Sequence, residues 1–217
     1  MPKRKVEPTY EITKALAKLE KASFGDILKV ANISRQALDI HLKRMLDKEL
    51  ILSEQDPKDK RKYLYWLNPN ELAIITVDEV IEAIKEELKA VGEELKPEEE
   101  QKLREWLIKH FRAILIEELK ADFPITEYGV IRHLFDWLTS LTLVKLLIGE
   151  KLEEDADRTE EFIKTIFPKA SFYHGAVKAI IDLPDNIAEK WSKTKAFNTN
   201  PAVIILDILE SGKFKLS

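Results

Sequence analysis

Apolar side chains recur at helical spacing through the first part of the chain, change to short strand-like runs, and return to helical spacing for the remainder. Within residues 9–21, Tyr10, Ile12, Leu16 and Leu19 predict a first helix, with Thr9 as its N-cap. Ser23 is placed to cap a short second helix that buries Phe24, Ile27, Leu28 and Ala31. After a turn through Asn32 and Ile33, Ser34 caps a third helix in which Ala37, Leu38, Leu42, Met45 and Leu46 return every three or four residues. Its remaining faces carry Arg35, Gln36, Asp39, Ile40, His41, Lys43 and Arg44. Leu50–Glu54 and Tyr63–Leu67 are strand-like in composition, so residues 56–62 between them form the charged tip of a hairpin, opened by Asp56 and Pro57.

Beyond Asn70 the pattern is helical. Ile74, Val77, Ile81, Ile84, Leu88, Val91 and Leu95 step alternately by three and four, a heptad stripe flanked by Glu and Lys and ended by Pro97. Thr76 and Glu79 match a capping box, which would start that helix after Ile74. The stripe reads either as a dimer seam, formed by Val77, Ile81, Ile84, Leu88, Val91 and Leu95, or as one side of an intramolecular helical hairpin; the first is the expectation carried forward. From Pro97, Leu103, Leu107, Phe111, Ile114, Leu115 and Leu119 predict a second long helix closing near Phe123. Pro124 opens a third, running through Tyr128, Ile131, Phe135, Leu138, Leu141 and Ile148 to Gly149. Its uncharged middle, Trp137 to Val144, predicts near-complete burial. An acidic loop at 150–161 leads into a helix with Phe162, Ile163, Ile166 and Phe167 on its apolar side, followed by short helices near 170–182, 185–196 and 201–211, the last bounded by Asn200-Pro201 and Ser211-Gly212. The fold class expected is mainly α: three helices and a β-hairpin over residues 1–70, then an all-helical region over 71–217.

Charge divides the chain at the same place. Residues 1–70 hold 15 Lys and Arg against 10 Asp and Glu, a net of +5, whereas the remaining 147 hold 20 against 29, a net of −9. A basic head on an acidic body suggests that the head meets a polyanion. A short helix, a tight turn and a longer polar-faced helix form the arrangement that lays one helix across DNA and the next in its major groove. Lys58, Lys60, Arg61 and Lys62 then sit where a wing touches phosphates beside that groove, with Lys3, Arg4 and Lys5 as an additional arm.

The stretch from Ser34 through Leu46 to Leu50-Ile51, with its His41-Leu42-Lys43 step, resembles the recognition helix and exit of arsenic-repressor-like regulators, and Tyr63 to Pro69 is similar to the end of their wing. The hairpin tip, with Asp56-Pro57 and the Asp59/Arg61 pair, resembles instead the wing of multiple-antibiotic-resistance-type regulators, in which the Arg borders the minor groove and the Asp orients it. The likeness covers about the first 70 residues and implies a winged helix-turn-helix that binds double-stranded DNA. In those families small hydroxyl residues commonly occupy the middle of the recognition helix. Here Asp39 and Ile40 stand there, and a carboxylate beside phosphates is unfavourable unless it accepts from a cytosine amino group. No Cys or His cluster matches the metal sites of the arsenic-repressor-like proteins, so no metal and no cofactor are expected.

Other classes are excluded on composition and motif. The 217 residues contain no cysteine, hence no disulfide framework, thiolate metal site or cysteine nucleophile. Six glycines include no G-x-G-x-x-G or G-x-x-x-x-G-K pattern. His41, His110, His133 and His174 form no i,i+4 pair and no H-E-x-x-H, and no serine lies in a G-x-S-x-G elbow, so an enzyme is not expected. His133 beside Arg132 and Asp136 reads first as part of an ordinary helix surface, and Phe172-Tyr173-His174-Gly175 first as interface packing and second as a ligand wall. With no apolar run near membrane-spanning length and no apolar segment behind the basic start, the expectation is a cytoplasmic protein. Abundant Lys and Glu beside three glutamines resemble a thermophile's composition.

The function these features lead us to expect is transcription regulation by a homodimer that reads a palindromic site with residues 34–47 and 56–62. Arg35, Gln36, Asp39, Ile40 and His41 are the candidates for base contact, with Ser34, Lys43 and Arg44 at phosphates or in solvent. The helical region would dimerise, with three alternatives beyond that: a small apolar effector between its helices, a docked protein partner, or no further role than dimerisation. The alternative expectation is a protein-interaction adaptor built on the same head.

Overall fold

The structure, a computed structural model, describes residues 7–122, 127–148, 176–201, 203 and 204. It is mainly helical, with a small three-stranded antiparallel sheet. Two compact units form, one from Met1–Val80 and Leu107–Val130, the other from Ile81–Trp106 and Ile131–Ser217. This departs from a simple split after residue 70, because a segment from the middle of the chain belongs with the N-terminal elements.

In the first unit α1 (Pro8–Leu19) buries Ile12, Ala15 and Leu16. Pro8 occupies the first turn and Glu7 the N-cap position, so Thr9 lies inside the helix and is not its cap. Proline has no N–H to cap and its fixed φ suits the first helical turn, which moves the start forward. A two-residue strand β1 (Ala22–Ser23), absent from the sequence reading, leads into α2 (Phe24–Val30), whose N-cap Ser23 Oγ accepts from the Asp26 N–H. The turn after α2 is pinned to α1 by the buried carboxylate of Glu11, which accepts from the Asn32 N–H at 3.3 Å. Ser34 caps α3 (Arg35–Asp47) by accepting from the Ala37 N–H at 3.2 Å, and Leu38, Leu42 and Met45 form its buried stripe. α3 stops in a Schellman turn: Glu49 takes a left-handed φ of 56°, and the Leu50 N–H returns to the Met45 carbonyl at 2.9 Å.

β2 (Ile51–Gln55) and β3 (Tyr63–Leu67) then form the hairpin, in register from Ile51 opposite Leu67 to Gln55 opposite Tyr63. β1 pairs with the far edge of β3, giving the order β1-β3-β2. Asn68 closes the hairpin's base by donating from Nδ2 to the Glu49 carbonyl at 2.7 Å. Further along, α6 (Arg112–Lys120) packs on α1. Asp122, just past its end, takes the ammonium groups of Lys14 and Lys18 at 3.2 and 2.8 Å, and Arg112 Nε donates to the Glu71 carbonyl at 3.0 Å. These contacts explain why Leu107–Val130 clusters with the head.

The expected dimer seam is corrected. α4 spans only Val77–Lys89. The capping box starts it, with Thr76 Oγ1 accepting from the Glu79 N–H at 3.2 Å and Glu79 Oε2 accepting from the Thr76 N–H at 3.0 Å. Ile74 therefore precedes the helix. At the other end Gly92, at a left-handed φ of 76°, completes a second Schellman turn: the Glu93 N–H reaches the Leu88 carbonyl and the Gly92 N–H that of Lys89. Val91 and Leu95 thus fall outside the helix. Val77, Ile81, Ile84 and Leu88 are fully buried within the single chain, so no continuous heptad face is left for a second copy. A three-four spacing is common to both kinds of packing, and the two helix stops shorten the stripe to Val77–Leu88.

In the second unit α5 (Pro97–Trp106) continues through a π-helical turn, Leu107–Phe111, into α6. The helix expected from Pro97 is present, but the division between units falls at that turn. Two further divisions fall within α4 and within α7 (Glu127–Ile148). α7 supplies the centre of the second unit: Trp137, Leu138, Leu141 and Val144 are buried together with Thr139 and Thr142. The indole of Trp137 lies 5.2 Å from that of Trp106, and Trp106 Nε1 donates to the Ala179 carbonyl at 2.9 Å. α8 (Ala176–Asp182), α9 (Asp185–Trp191) and the single turn α10 (Lys195–Asn198) complete the unit. Trp191 donates its indole N–H to Thr139 Oγ1 at 3.0 Å and meets Phe135 edge-on at 5.0 Å. Lys145 caps the end of α8, donating to the carbonyls of Ile180, Ile181 and Leu183 and pairing with Asp185 at 2.9 Å. The expected Lys3-Arg4-Lys5 arm, Pro124, Gly149, the segment 150–161, the helix with Phe162 to Phe167, the Phe172–Gly175 cluster and Ser211-Gly212 lie outside the described residues.

Candidate nucleic-acid interface

α3 buries a narrow stripe, which leaves most of its circumference in solvent. Arg35, Gln36, Asp39, Ile40, Lys43 and Arg44 are exposed, and Ile40 at 42% is well exposed for a β-branched apolar residue. The charges on this face are unequally occupied. Lys43 Nζ is 2.9 Å from Asp39 Oδ2 one turn earlier, an exposed i,i+4 pair. Arg35 carries its guanidinium 5.7 Å from the ring of Phe24 on α2, a cation–π contact that limits where it can point. Phe24, Arg35, Gln36 and Asp39 line an open depression at the start of α3.

His41 differs from the other expected contact residues. It is half-buried, and its Nδ1 shares a hydrogen bond with Thr9 Oγ1 of α1 at 3.2 Å. Its place in the chain, three residues after Leu38 and one before Leu42, sets it at the edge of the buried stripe, so the imidazole ties α3 to α1. This gives His41 a packing task beside the base contact expected of it. Ser34 likewise has a structural task, as the cap already described.

The hairpin tip is ordered by its own carboxylates. The Asp56 N–H donates to the Lys62 carbonyl at 2.9 Å, and Asp56 Oδ1 accepts from the Lys58 N–H at 2.8 Å, an Asx-type turn. Asp59 holds Arg61 three ways: Oδ1 accepts from the Arg61 N–H at 3.2 Å and from its Nε at 3.1 Å, and Oδ2 accepts from Nη2 at 3.4 Å. These side-chain and backbone hydrogen bonds from Arg61 hold the Asp59 carboxyl below the usual carboxylate range. The Arg61 side chain is nevertheless 90% exposed, so the guanidinium is oriented while its outer edge stays open. Lys62 also approaches Asp59, at 3.5 Å. Lys58 and Lys60 are exposed and, with Arg35 and Arg44, are paired with no carboxylate among the described residues.

Sequence reasoning missed three members of this surface. Phe24 was assigned to the buried face of α2, yet it is half-buried and supports Arg35. Lys21 lies 4.4 Å over the Trp66 ring and 2.7 Å from Glu54, covering the sheet beside the hairpin. Tyr65 on β3 is half-buried, and its hydroxyl pKa is raised, first by burial and then by the nearby charge of Asp39. Long-range pairs such as these have no local sequence signature.

Elsewhere, His110 is buried in the π-helical turn, His133 is half-buried on α7, and His174 lies outside the described residues. Among the described residues no group of three or more His, Asp or Glu side chains is placed to hold a metal ion. No described helix is long and apolar enough to cross a membrane. No protein-family model matches the chain, and neither the curated proteins nor the solved structures compared with it give a match.

Proposed function

We propose that this chain is a sequence-specific DNA-binding regulator of transcription whose head is a winged helix-turn-helix, with α3 entering the major groove and the β2–β3 hairpin acting as the wing. One observation carries the reading. Among the described residues Arg35, Arg44, Lys58 and Lys60 stand exposed without carboxylate partners on α3 and on the hairpin that follows it, while Arg61 is held outward by Asp59. An exposed cation with no carboxylate partner neutralises a phosphate, and so releases its counterions, without first giving up an ion pair. The connection α2, turn, α3, hairpin is the order in which such modules present a groove-filling helix and a flanking ribbon. In this reading Arg35, Gln36, Asp39 and Ile40 face base edges, Lys43 and Arg44 face phosphates, and Lys58, Lys60, Arg61 and Lys62 contact the backbone beside the groove.

Binding by two copies to a two-fold site is part of the proposal, with its seam elsewhere than the α4 stripe, whose residues are already used within the chain. A salt titration of binding to a selected duplex tests the reading. Arg61→Ala lowers affinity and flattens the slope of log K against log salt by about one unit. Unchanged affinity and slope would remove the hairpin from the interface. A second reading, a protein-docking adaptor, is favoured by Ile40 exposed in the middle of α3 and predicts weak duplex binding with a shallow slope.

A further inference from the structure

Asp39 lies at the middle of the exposed face of α3, one turn after Arg35 and one turn before Lys43. A polyanion repels a carboxylate, so this residue weakens every non-specific contact the surrounding cations make. It has no structural task that would account for it. Its side chain is 56% exposed, and its described partner is Lys43, an exposed pair of the kind that contributes little to stability. Lys43 donates to Oδ2, and among the described residues Oδ1 takes no hydrogen bond. On one side the carboxylate faces the open depression it shares with Phe24, Arg35 and Gln36. On the other, Tyr65 is close enough for the Asp39 charge to raise its pKa.

We propose that Asp39 is a specificity residue, selecting cytosine by accepting a hydrogen bond from its N4 amino group in the major groove. In the same face Arg35, restrained by the Phe24 ring, selects guanine by donating to O6 and N7. The inference rests on the DNA-binding reading above. Cytosine is the base whose major-groove edge offers a donor without an adjacent ring-nitrogen acceptor, so an acceptor-only group is matched to it, while guanine offers two acceptors to a forked donor. Residues four apart on a helix rise by about 6 Å, which sets the two contacted base pairs within about two steps of one another. Lys43 has a positioning part: its ammonium offsets the carboxylate's repulsion from the phosphates while Oδ1 stays available.

The test is selection of binding sites from a randomised duplex library by the full chain and by Asp39→Ala, Asp39→Asn and Arg35→Ala, with each variant's affinity measured on the selected site and on an unrelated duplex. Both side chains are exposed, and thermal melts check that the variants fold. The wild type should enrich a G and a C at positions no more than about two steps apart. Asp39→Ala should bind the unrelated duplex roughly two- to tenfold more tightly, since a repulsive charge is gone, while a preference for cytosine of roughly five- to a hundredfold falls to near unity. Asp39→Asn should move the preference to adenine, whose N7 and N6 edge suits an amide. A site whose cytosine preference survives Asp39→Ala, or a uniform rise in affinity without change of preference, overturns the inference and leaves DNA binding standing. Absence of a salt-dependent complex with any duplex overturns the DNA-binding reading itself, and this inference with it.

Discussion

Two enclosed charges of the second unit contrast with the open ones on α3 and the hairpin of the first. In the second, Glu99 is buried against α9, taking hydrogen bonds from the Lys190 ammonium, the Asn186 amide and the Lys96 N–H. Burial alone would push its pKa up. The ion pair and hydrogen bonds outweigh that and hold the carboxyl at about 2. Lys145 is similarly enclosed by three carbonyls and Asp185. In the first unit, Asp122 with Lys14 and Lys18 serves the fold, yet the α3 and hairpin cations Arg35, Arg44, Lys58 and Lys60 have no carboxylate partner among the described residues. A side chain locked to its neighbour cannot be offered to a ligand. The contrast separates charge locked to a neighbour from charge left open, which net charge along the sequence indicates only in bulk.

The strongest way to break this comparison is at α4, where the apolar stripe was expected to lie between two copies. Ile84 is fully buried within the chain. Ile84→Ala should lower unfolding free energy by about 4 kcal/mol through lost burial and the cavity left behind. Because the packing is internal, the fall in Tm should be the same over a hundredfold range of protein concentration. A dimer seam would make it concentration-dependent, since association then contributes to the measured stability.

A smaller effect is expected at Glu99, with a defined pH window. Its folded pKa of about 2 lies below the ordinary value of 4.5, so ionisation favours the folded state. That contribution, about 3 kcal/mol, is fully present above the ordinary value and is lost as pH falls from about 4.5 towards 2. Glu99→Gln should therefore be much less stable than wild type at pH 7, and urea melts should show the two converging as the pH drops through that window. A stability difference that stays constant from pH 6 to pH 2 would refute the role given to the carboxylate.

Much of this organisation was legible from local chemistry. The Ser23 and Ser34 caps, the Thr76/Glu79 box, the hairpin and its Asp59/Arg61 pair each sit within a few residues of their partners, and each is found where its side-chain pattern places it. The failures have equally specific causes. Thr9 was displaced as a cap by Pro8, and the α4 stripe was cut at Gly92 by a backbone turn that hydrophobic spacing does not register. His41 looked like a surface residue until α1 brought Thr9 to within 3.2 Å of it. The π-helical turn at Leu107–Phe111 is marked by Leu103, Leu107, Phe111, Leu115 and Leu119, spaced four apart and all buried, a run that a regular α-helix would rotate off one face and that reading for steps of three or four passes over.

Ser34 gives the finest test of the division between holding and recognising, because one hydroxyl is a candidate for both. As an acceptor from the Ala37 N–H it caps α3; as a donor the same oxygen could reach a phosphate. Ser34→Ala removes both and should cost about 1 kcal/mol of stability. Ser34→Asp keeps an acceptor at the cap and places negative charge near the start of the helix, where the peptide dipoles favour it, so stability should return to near the wild-type value. The same charge is unfavourable beside a phosphate, so the Asp variant should bind duplex DNA more weakly than the Ala variant despite being the more stable of the two. Thermal melts paired with duplex titrations read both quantities. Restored stability with undiminished DNA affinity would mean that the start of α3 does not face the backbone, and would turn the proposed docking of this helix away from its N-terminal end.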